Sequence, residues 1–295
     1  MKLHALAPAK VNLGLFVGPA RGDGRHEVAT AIESVSLADE LTLTMDPDAD
    51  GDTVICPGVD GRNLVEDALA AIRESDWRAP PVRVEINKRI PIAAGMAGGS
   101  ADAAAVLRLV TMIRPLEAGE TARIAASLGS DVPSQLAPAL VFARGAGDVI
   151  DARGALAPHA LVLLPPRSML TAAEVYAEAD QLGLPRTADD LRARANELDG
   201  ALKPGRRLAH QLLVNDLERA VVTLLPEVED ALNEARVTGA DHAFVCGSGP
   251  AVAGLFWGED ASDRAVAAAA QLIELQPGAI AALPVPADFG MPQRI

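Results

Sequence analysis

An α+β fold of two domains is what this sequence predicts, from its length, its composition and its mixture of strand and helix patterns. The chain has 295 residues, more than one hydrophobic core usually organises, and 49% of them are hydrophobic. Strand and helix patterns alternate in the first half, whereas the second half is mostly helical. We place the division between the domains at residues 155 and 156, so that they span 1–155 and 156–295.

Local patterns define the elements in chain order. Residues 41–45 alternate between Leu or Met and Thr, which predicts a strand with one buried face. Asn63 is a favourable N-cap, and the apolar residues after it recur at helical spacing. Further strands are predicted at residues 81–90, 140–144 and 160–164, and a strand pair at 242–246 and 252–257. Helices are predicted within residues 171–238, and a last amphipathic helix over 263–275.

Net charge and cysteine content exclude several classes of protein. The formal charge is −14 and both halves contribute to it, which disfavours a general binder of nucleic acid or of anionic membranes. Two cysteines, Cys56 and Cys246, are too few for a cysteine-rich zinc site or a disulfide framework. The sequence lacks the run of about 18–20 apolar residues that crosses a bilayer. We therefore expect a cytoplasmic monomer or homodimer without a nucleic-acid or membrane partner.

The most informative segment is a glycine- and alanine-rich loop at residues 91–101, between a predicted strand and a predicted helix. Small side chains let backbone N–H groups approach an anion closely, and the N-terminus of the following helix adds a favourable dipole. These features favour a polyphosphate site, although a flexible turn with Ser100 as a plain N-cap would show the same pattern. The P-loop and dinucleotide-binding patterns are both missing, which disfavours a dehydrogenase.

Two shorter motifs carry less information when each is taken alone. Residues 247–250 read Gly-Ser-Gly-Pro between two apolar strands, where a hairpin turn is the simplest interpretation. Lys10 interrupts an apolar segment near the start of the chain. Its ammonium either faces solvent from a strand or is directed at an anion or a reacting hydroxyl. Neither motif identifies a function without the other.

Together, residues 8–13, 91–104 and 245–255 resemble the three ordered motifs of the GHMP kinases, a family of small-molecule kinases. Four further segments resemble a branch of that family in the non-mevalonate isoprenoid pathway; they are residues 23–27, 128–133, 171–176 and 215–218. The resemblance implies an N-terminal domain like domain 2 of ribosomal protein S5 and a ferredoxin-like C-terminal domain. It also implies ATP as phosphoryl donor, Mg²⁺, and a site between the domains.

The resemblance assigns the catalytic roles to Lys10 and Asp131. Asp131 matches the family's base, and Lys10 is expected to hydrogen-bond both Asp131 and the substrate hydroxyl. Without the resemblance, Asp131 would be interpreted as the N-cap of a short helix. Both side chains together argue against a nucleotide-binding module without catalysis, because pure binding needs neither of them.

The same resemblance implies which residues bind ATP. The loop is expected to hold the phosphates through its backbone; its residues are Pro91, Ile92, Ala93, Ala94, Gly95, Met96, Ala97, Gly98, Gly99, Ser100 and Ala101. Asn63 and Lys88 match positions near the family's adenine pocket, although a helix N-cap and a strand-end lysine are their structural alternatives. No dedicated metal site is expected, and Ser100 is the one residue expected to contact the Mg²⁺ of Mg·ATP. Asp102 is expected to be structural, since a helix dipole favours a carboxylate there.

A cytidine-diphosphate-linked alcohol is the substrate that the resemblance implies. Asn12, Arg25, His26 and Tyr176 match its binding residues. The family stacks the cytosine between two aromatic rings and reads its edge with a histidine, but Arg25 stands here in place of one ring. A planar guanidinium can also stack on a base. Ser134, Gln135 and Leu136 also depart from the family, in which hydrophobic or aromatic residues are common there, near the expected substrate side. A GHMP kinase acting on another alcohol, such as homoserine, mevalonate or a sugar, stays open as the alternative.

Overall fold

The computed structural model describes residues 1–59, 61–75, 77–117 and 119–295. The strands are β1 (Lys2–Ala20), β2 (His26–Met45), β3 (Thr53–Ile55), β4 (Val82–Asn87), β5 (Leu140–Gly145), β6 (Val149–Ala152), β7 (His159–Leu164), β8 (His242–Val245), β9 (Val252–Trp257), β10 (Ile280–Ala282) and β11 (Gln293–Arg294). The helices are α1 (Leu64–Glu74), α2 (Gly98–Ile113), α3 (Glu120–Leu128), α4 (Val132–Gln135), α5 (Ala172–Gln181), α6 (Ala188–Ala201), α7 (Glu218–Leu224), α8 (Glu227–Val237) and α9 (Ala261–Leu272), with a 3₁₀ turn at His210–Leu212.

The first sheet is built around the long hairpin of β1 and β2. Its strand order is β11-β1-β2-β4-β3, and the first half of β2 pairs instead with β5, which pairs with β6. The strand predicted at residues 41–45 is the end of β2. The strand predicted over 81–90 ends at Asn87, because the Asp39 carboxylate accepts the N–H groups of Arg89 and Ile90 at 2.6 and 2.8 Å.

The second sheet has the order β10-β7-β9-β8, and all of its neighbouring strands are antiparallel. The helices α5 to α8 connect β7 to β8, and α9 connects β9 to β10. This is the arrangement of a ferredoxin-like domain. The predicted last helix was placed two to three residues too late, since α9 spans Ala261–Leu272.

The two sheets share part of their hydrophobic core. One cluster of buried residues combines Val11 and Phe16 of the first sheet with Leu161 and Phe244 of the second. Loops beside both sheets border one cavity, which is lined by Arg25 between β1 and β2 and by Ser248 between β8 and β9. The division at residues 155 and 156 stays a prediction, and β11 at the C-terminal end belongs to the first sheet. In the described ranges, no helix is long and apolar enough to cross a membrane.

Candidate active site

The glycine-rich loop between β4 and α2 contains two L-residues in left-handed backbone conformation. The φ angles of Ala93 and Ala97 are 53° and 55°, and that of Gly95 between them is 77°. Left-handed residues among right-handed ones create concave groups of N–H donors that bind anions. Ala97 occupies the N-cap position of α2, so the helix begins at Gly98 rather than near Ser100. Ser100 is therefore a first-turn residue, and its hydroxyl is not needed as a cap.

The loop lines a cavity of about 420 Å³. Asn63, Lys88 and Ser100 line the same cavity. Asn63 is also the N-cap of α1, where it forms a reciprocal capping pair with Glu66. Two of the predicted ATP-binding residues do not line this cavity: Met96 is 2% exposed and packs into the shared core, and Ala101 is 1% exposed and donates its N–H to Ala97 O at 2.9 Å. Their part in ATP binding stays a prediction.

Three motifs that are far apart in the sequence converge at this loop. Gly95 O accepts a hydrogen bond of 2.8 Å from Lys10 Nζ. A Cβ on Gly95 would lie 2.0 Å from Cys246 O, and one on Gly247 would lie 2.7 Å from Lys10 Nζ. Only glycine therefore fits at these contacts. Asn215 holds the turn at residues 247–250 in place, because its Nδ2 donates to Val245 O and Gly247 O at 2.8 and 2.7 Å.

Lys10 is a buried cation whose ammonium is held by protein acceptors. It is 5% exposed, and Nζ donates to Asn12 Oδ1 at 2.9 Å as well as to Gly95 O. Asn12 is oriented in turn, since its Nδ2 donates to Thr30 Oγ1 at 2.8 Å. The β1–β2 register shifts on both sides of these residues, and such irregularities re-aim side chains near functional sites. Among the described residues, Lys10 Nζ donates to Asn12 and Gly95 and makes no hydrogen bond to Asp131, so the expected contact between Lys10 and Asp131 stays a prediction.

Asp131 is the N-cap residue of the short helix α4. Within the described residues, its side chain makes no capping hydrogen bond, which rules out the simple structural interpretation. Ser134 Oγ instead donates to the backbone oxygen of Asp131 at 2.7 Å and fixes the turn. The carboxylate is thus held in place by its backbone and left available for chemistry.

Asp131 and Lys10 lie where two cavities meet. Both residues line the 420 Å³ cavity of the glycine-rich loop, and both line a second cavity of about 540 Å³. Ala172 and Ser248 are also shared by the two cavities. A phosphate donor in one cavity and an acceptor in the other would therefore meet at a carboxylate and an ammonium, the two groups that phosphoryl transfer to a hydroxyl requires.

The second cavity contains an aromatic platform. His26 and Tyr176 line it, and their rings stack with centroids 5.1 Å apart at 24°. His26 Nε2 lies 2.8 Å from Asp180 Oδ1, a partner that sequence reasoning missed. Asp180 is one helical turn after Tyr176 in α5, so the two side chains lie on the same face of that helix, but no local spacing relates Asp180 to His26. Burial, and to a lesser extent the Asp131 charge, raises the pKa of Tyr176 well above its usual value, so the phenol stays neutral.

Arg25 crosses the mouth of the second cavity. Its Nη2 donates to Asp23 Oδ2 at 2.8 Å, and its Nη1 approaches Ser130 Oγ at 3.4 Å. The guanidinium thus bridges the hairpin turn after β1 and the residue before Asp131, with 46% of its side chain exposed. The polar residues Ser134 and Gln135, predicted near the substrate, are buried instead and do not line this cavity.

Lys88 forms a buried cluster with two carboxylates behind the loop. Its Nζ is paired with Asp39 and lies 2.8 Å from Asp102 Oδ2. Burial raises the pKa of Asp102 to about 7, an effect that Lys88 opposes and Asp39 supports. The structural interpretation of Asp102 is supported by this pairing. Asp39 was missed, because a single carboxylate in a strand pattern gives no signal of a distant partner. In the described part of the chain, no group of three or more His, Cys, Asp or Glu could hold a metal ion.

This geometry defines a phosphotransferase site, and comparison with known proteins assigns the class. The family model "GHMP kinases N terminal domain" matches residues 63–142, and "GHMP kinases C terminal" matches residues 190–274. The chain belongs to the GHMP kinase family and is a kinase with the two-domain fold that the sequence predicts.

Its relatives have a more specific name. A protein of Pseudarthrobacter chlorophenolicus named 4-diphosphocytidyl-2-C-methyl-D-erythritol kinase is 37% identical, covering 95% of this chain and 90% of its own. One of Streptomyces coelicolor with the same name is 38% identical, with coverages of 86% and 87%. A crystal structure of 4-(cytidine 5'-diphospho)-2C-methyl-D-erythritol kinase has a TM-score of 0.74 at 30% identity, covering 96% of this chain and 99% of its own. A homoserine kinase of Cytophaga hutchinsonii, at 18% identity and a TM-score of 0.70, shares the fold.

Proposed function

We propose that this kinase transfers the γ-phosphoryl group of ATP to the 2-hydroxyl of 4-diphosphocytidyl-2-C-methyl-D-erythritol. The observation that carries this proposal is the position of Lys10 and Asp131 at the junction of the two cavities. The names of the relatives supply the identity of the alcohol, and the aromatic platform in the second cavity is suited to its nucleobase.

ATP would occupy the cavity of the glycine-rich loop. The N–H groups around Ala93, Gly95 and Ala97 would hold its phosphates, with the N-terminus of α2 behind them. Asn63, which lines this cavity, would contact the adenosine end, and Lys88, paired with Asp39 and Asp102, would have a supporting role. Mg²⁺ would be held by phosphate oxygens and the Ser100 hydroxyl, an oxygen ligand set that suits it, and when bound it neutralises phosphate charge.

The transfer itself needs a base and a nearby cation. The Asp131 carboxylate accepts the proton of the 2-hydroxyl as that oxygen bonds to the γ-phosphorus. The bond from the γ-phosphorus to the bridging oxygen breaks, and ADP leaves with that electron pair. The ammonium of Lys10, fixed by Asn12 and Gly95, stabilises negative charge on the reacting oxygens.

Recognition of the alcohol is assigned to the second cavity. The stacked pair of His26 and Tyr176 offers one aromatic surface, and Asp180 fixes the His26 ring. Arg25 offers a planar cation that can stack on a base or pair with a diphosphate. Asn12 orients Lys10 and borders the same space.

An ADP-release assay tests the proposal. The purified chain is given Mg·ATP with 4-diphosphocytidyl-2-C-methyl-D-erythritol, and in parallel with homoserine, mevalonate and galactose. We expect turnover of the cytidyl compound with a kcat/KM at least about 100-fold above that of the other alcohols, since base stacking and diphosphate contacts contribute several kcal/mol. Robust turnover of another alcohol without turnover of the cytidyl compound would overturn the assigned substrate.

A further inference from the structure

A buried arginine in α2 has no role in the mechanism described so far. Arg108 is 7% exposed and lies in a helix segment that is otherwise Ala, Val and Leu. Burial lowers the pKa of its guanidinium to about 10, so the group remains a cation near neutral pH. Its hydrogen bonds to described residues reach two backbone oxygens: Nη2 donates to Leu6 O at 2.8 Å, and Nη1 donates to Gln135 O at 3.3 Å.

These two oxygens belong to the elements that carry the reacting side chains. Leu6 precedes Lys10 in β1, and Gln135 is the last residue of α4, whose first turn carries Asp131. The carbonyl at the end of α4 lacks a partner within that helix, so a cation is favourable there. Arg108 itself belongs to α2, the helix that begins at the phosphate loop. One guanidinium therefore joins the three elements whose relative position defines the junction of the cavities.

Stability does not explain this arrangement. Among the described residues, Arg108 Nε and both side-chain polar atoms of Gln135 are buried without a hydrogen-bond partner. Buried polar groups without partners destabilise the folded state, and apolar replacement of buried charged groups is often neutral or stabilising. Neither residue lines the two cavities, so neither contacts the substrates directly.

We propose that Arg108 is a positioning residue that fixes α4, and with it Asp131, against the strand that carries Lys10. The proposal rests on the assignment of Lys10 and Asp131 as the reacting pair. It requires that loss of the bridge lets α4 shift relative to β1, with Asp131 moving away from the reacting hydroxyl. A misplacement of about 1 Å can reduce a rate by about 100-fold.

Arg108→Met tests the proposal, because methionine fills similar space without donors. We expect the single-turnover rate of ADP formation to fall about 10- to 100-fold, with the KM for ATP within about 3-fold of wild type. We expect the Tm to stay the same or to rise. Arg108→Lys, which keeps a donor for at least one carbonyl, should recover part of the rate. Should Arg108→Met fail to fold, Arg108→Met combined with Gln135→Leu takes its place.

Arg264→Met is the matched control. Arg264 also donates to two backbone oxygens, those of Trp257 and Gly239. It lies in α9 and lines neither of the two cavities. Its loss should leave the single-turnover rate within about 2-fold of wild type. An Arg108→Met protein that folds and turns over like wild type, or a lysine variant no better than methionine, overturns the proposal. If wild type fails on the cytidyl compound, the substrate assignment fails, and the Arg108 variants are compared on whichever alcohol it phosphorylates.

Discussion

Gly95→Ala gives the sharpest structural test of how the three motifs converge. A Cβ at this position would lie 2.0 Å from Cys246 O and 2.6 Å from Gly249 N, and both of these atoms belong to backbone. Real Cβ atoms essentially never come closer than 3.0 Å to a heavy atom, so the loop and the turn must separate. The residue also has a φ angle of +77°, which an alanine adopts only with strain.

The expected cost follows from these two effects. A left-handed alanine costs about 1–2 kcal/mol, and forced overpacking against a rigid neighbour costs about 1–3 kcal/mol. Together they predict a loss of about 2–5 kcal/mol in the free energy of unfolding. For a chain of this size, each kcal/mol lowers Tm by about 2–4 °C. Because Gly95 O is an acceptor for Lys10 Nζ, the turnover rate should fall as well.

Urea unfolding and thermal unfolding measure the cost, with Gly99→Ala as the matched control. Gly99 lies in the same segment, and no described heavy atom outside its immediate neighbourhood would come within 4 Å of its Cβ. Its free energy of unfolding should change by less than about 1 kcal/mol. A Gly95→Ala protein as stable as Gly99→Ala would refute the convergence of the loop and the turn.

Three further predictions concern pH and the base-binding platform. Burial raises the pKa of Asp102 to about 7, so the folded state binds its proton more tightly and the free energy of unfolding falls as pH rises from about 4 to 7. In urea unfolding at a series of pH values, Asp102→Asn should make the free energy of unfolding depend less on pH over this range. Burial lowers the pKa of His159, but the hydrogen bond and charge of Glu33 outweigh it and raise the pKa above 6.5. The contribution of that pair to the free energy of unfolding is therefore complete below pH 6.5 and is lost as pH rises through the raised pKa. A difference in free energy of unfolding between wild type and Glu33→Gln that does not change with pH would contradict this. Tyr176→Ala should raise the KM for the cytidyl alcohol about 5- to 100-fold, whereas Tyr176→Phe should keep a KM near that of wild type. Steady-state kinetics in which both variants change this KM equally would exclude stacking of the base on Tyr176.

Local sequence signals predicted most of the fold. Period-two alternation located the strands, and Asn63 is the N-cap of α1 with the reciprocal Glu66 contact. The predicted ends of strands were less accurate where hydrogen bonds to residues far away in the sequence end the strand. The strand at 81–90 ends early because Asp39, far back in the sequence, takes the next two N–H groups. The return of β11 to the first sheet gave no signal, because a two-residue strand has no measurable period.

The part of the candidate site that could be predicted is the part formed by the motif residues. Lys10, Asp131, Asn12 and His26 border the cavities, and their placement follows from the resemblance rather than from any local pattern. Partners contributed by other elements could not be predicted. The pairing of Asp180 with His26 depends on how α5 packs on the first sheet, which no local spacing encodes.

The buried contacts of Arg108 lay outside sequence reasoning for the same reason. They join α2 to residues in β1 and α4, and an arginine in an alanine-rich helix would ordinarily be placed on the surface. Its burial became visible only once the three elements were assembled.

The central claim is that phosphoryl transfer takes place at Asp131, between the two cavities. The most direct measurement is the single-turnover rate of Asp131→Asn with Mg·ATP and the cytidyl alcohol, alongside calorimetric binding of ATP to the same protein. Removal of a general base predicts a rate lower by about 10²–10⁴-fold, with the Kd for ATP within about 3-fold of wild type. An Asp131→Asn protein that retains more than about a tenth of the wild-type rate would contradict the account.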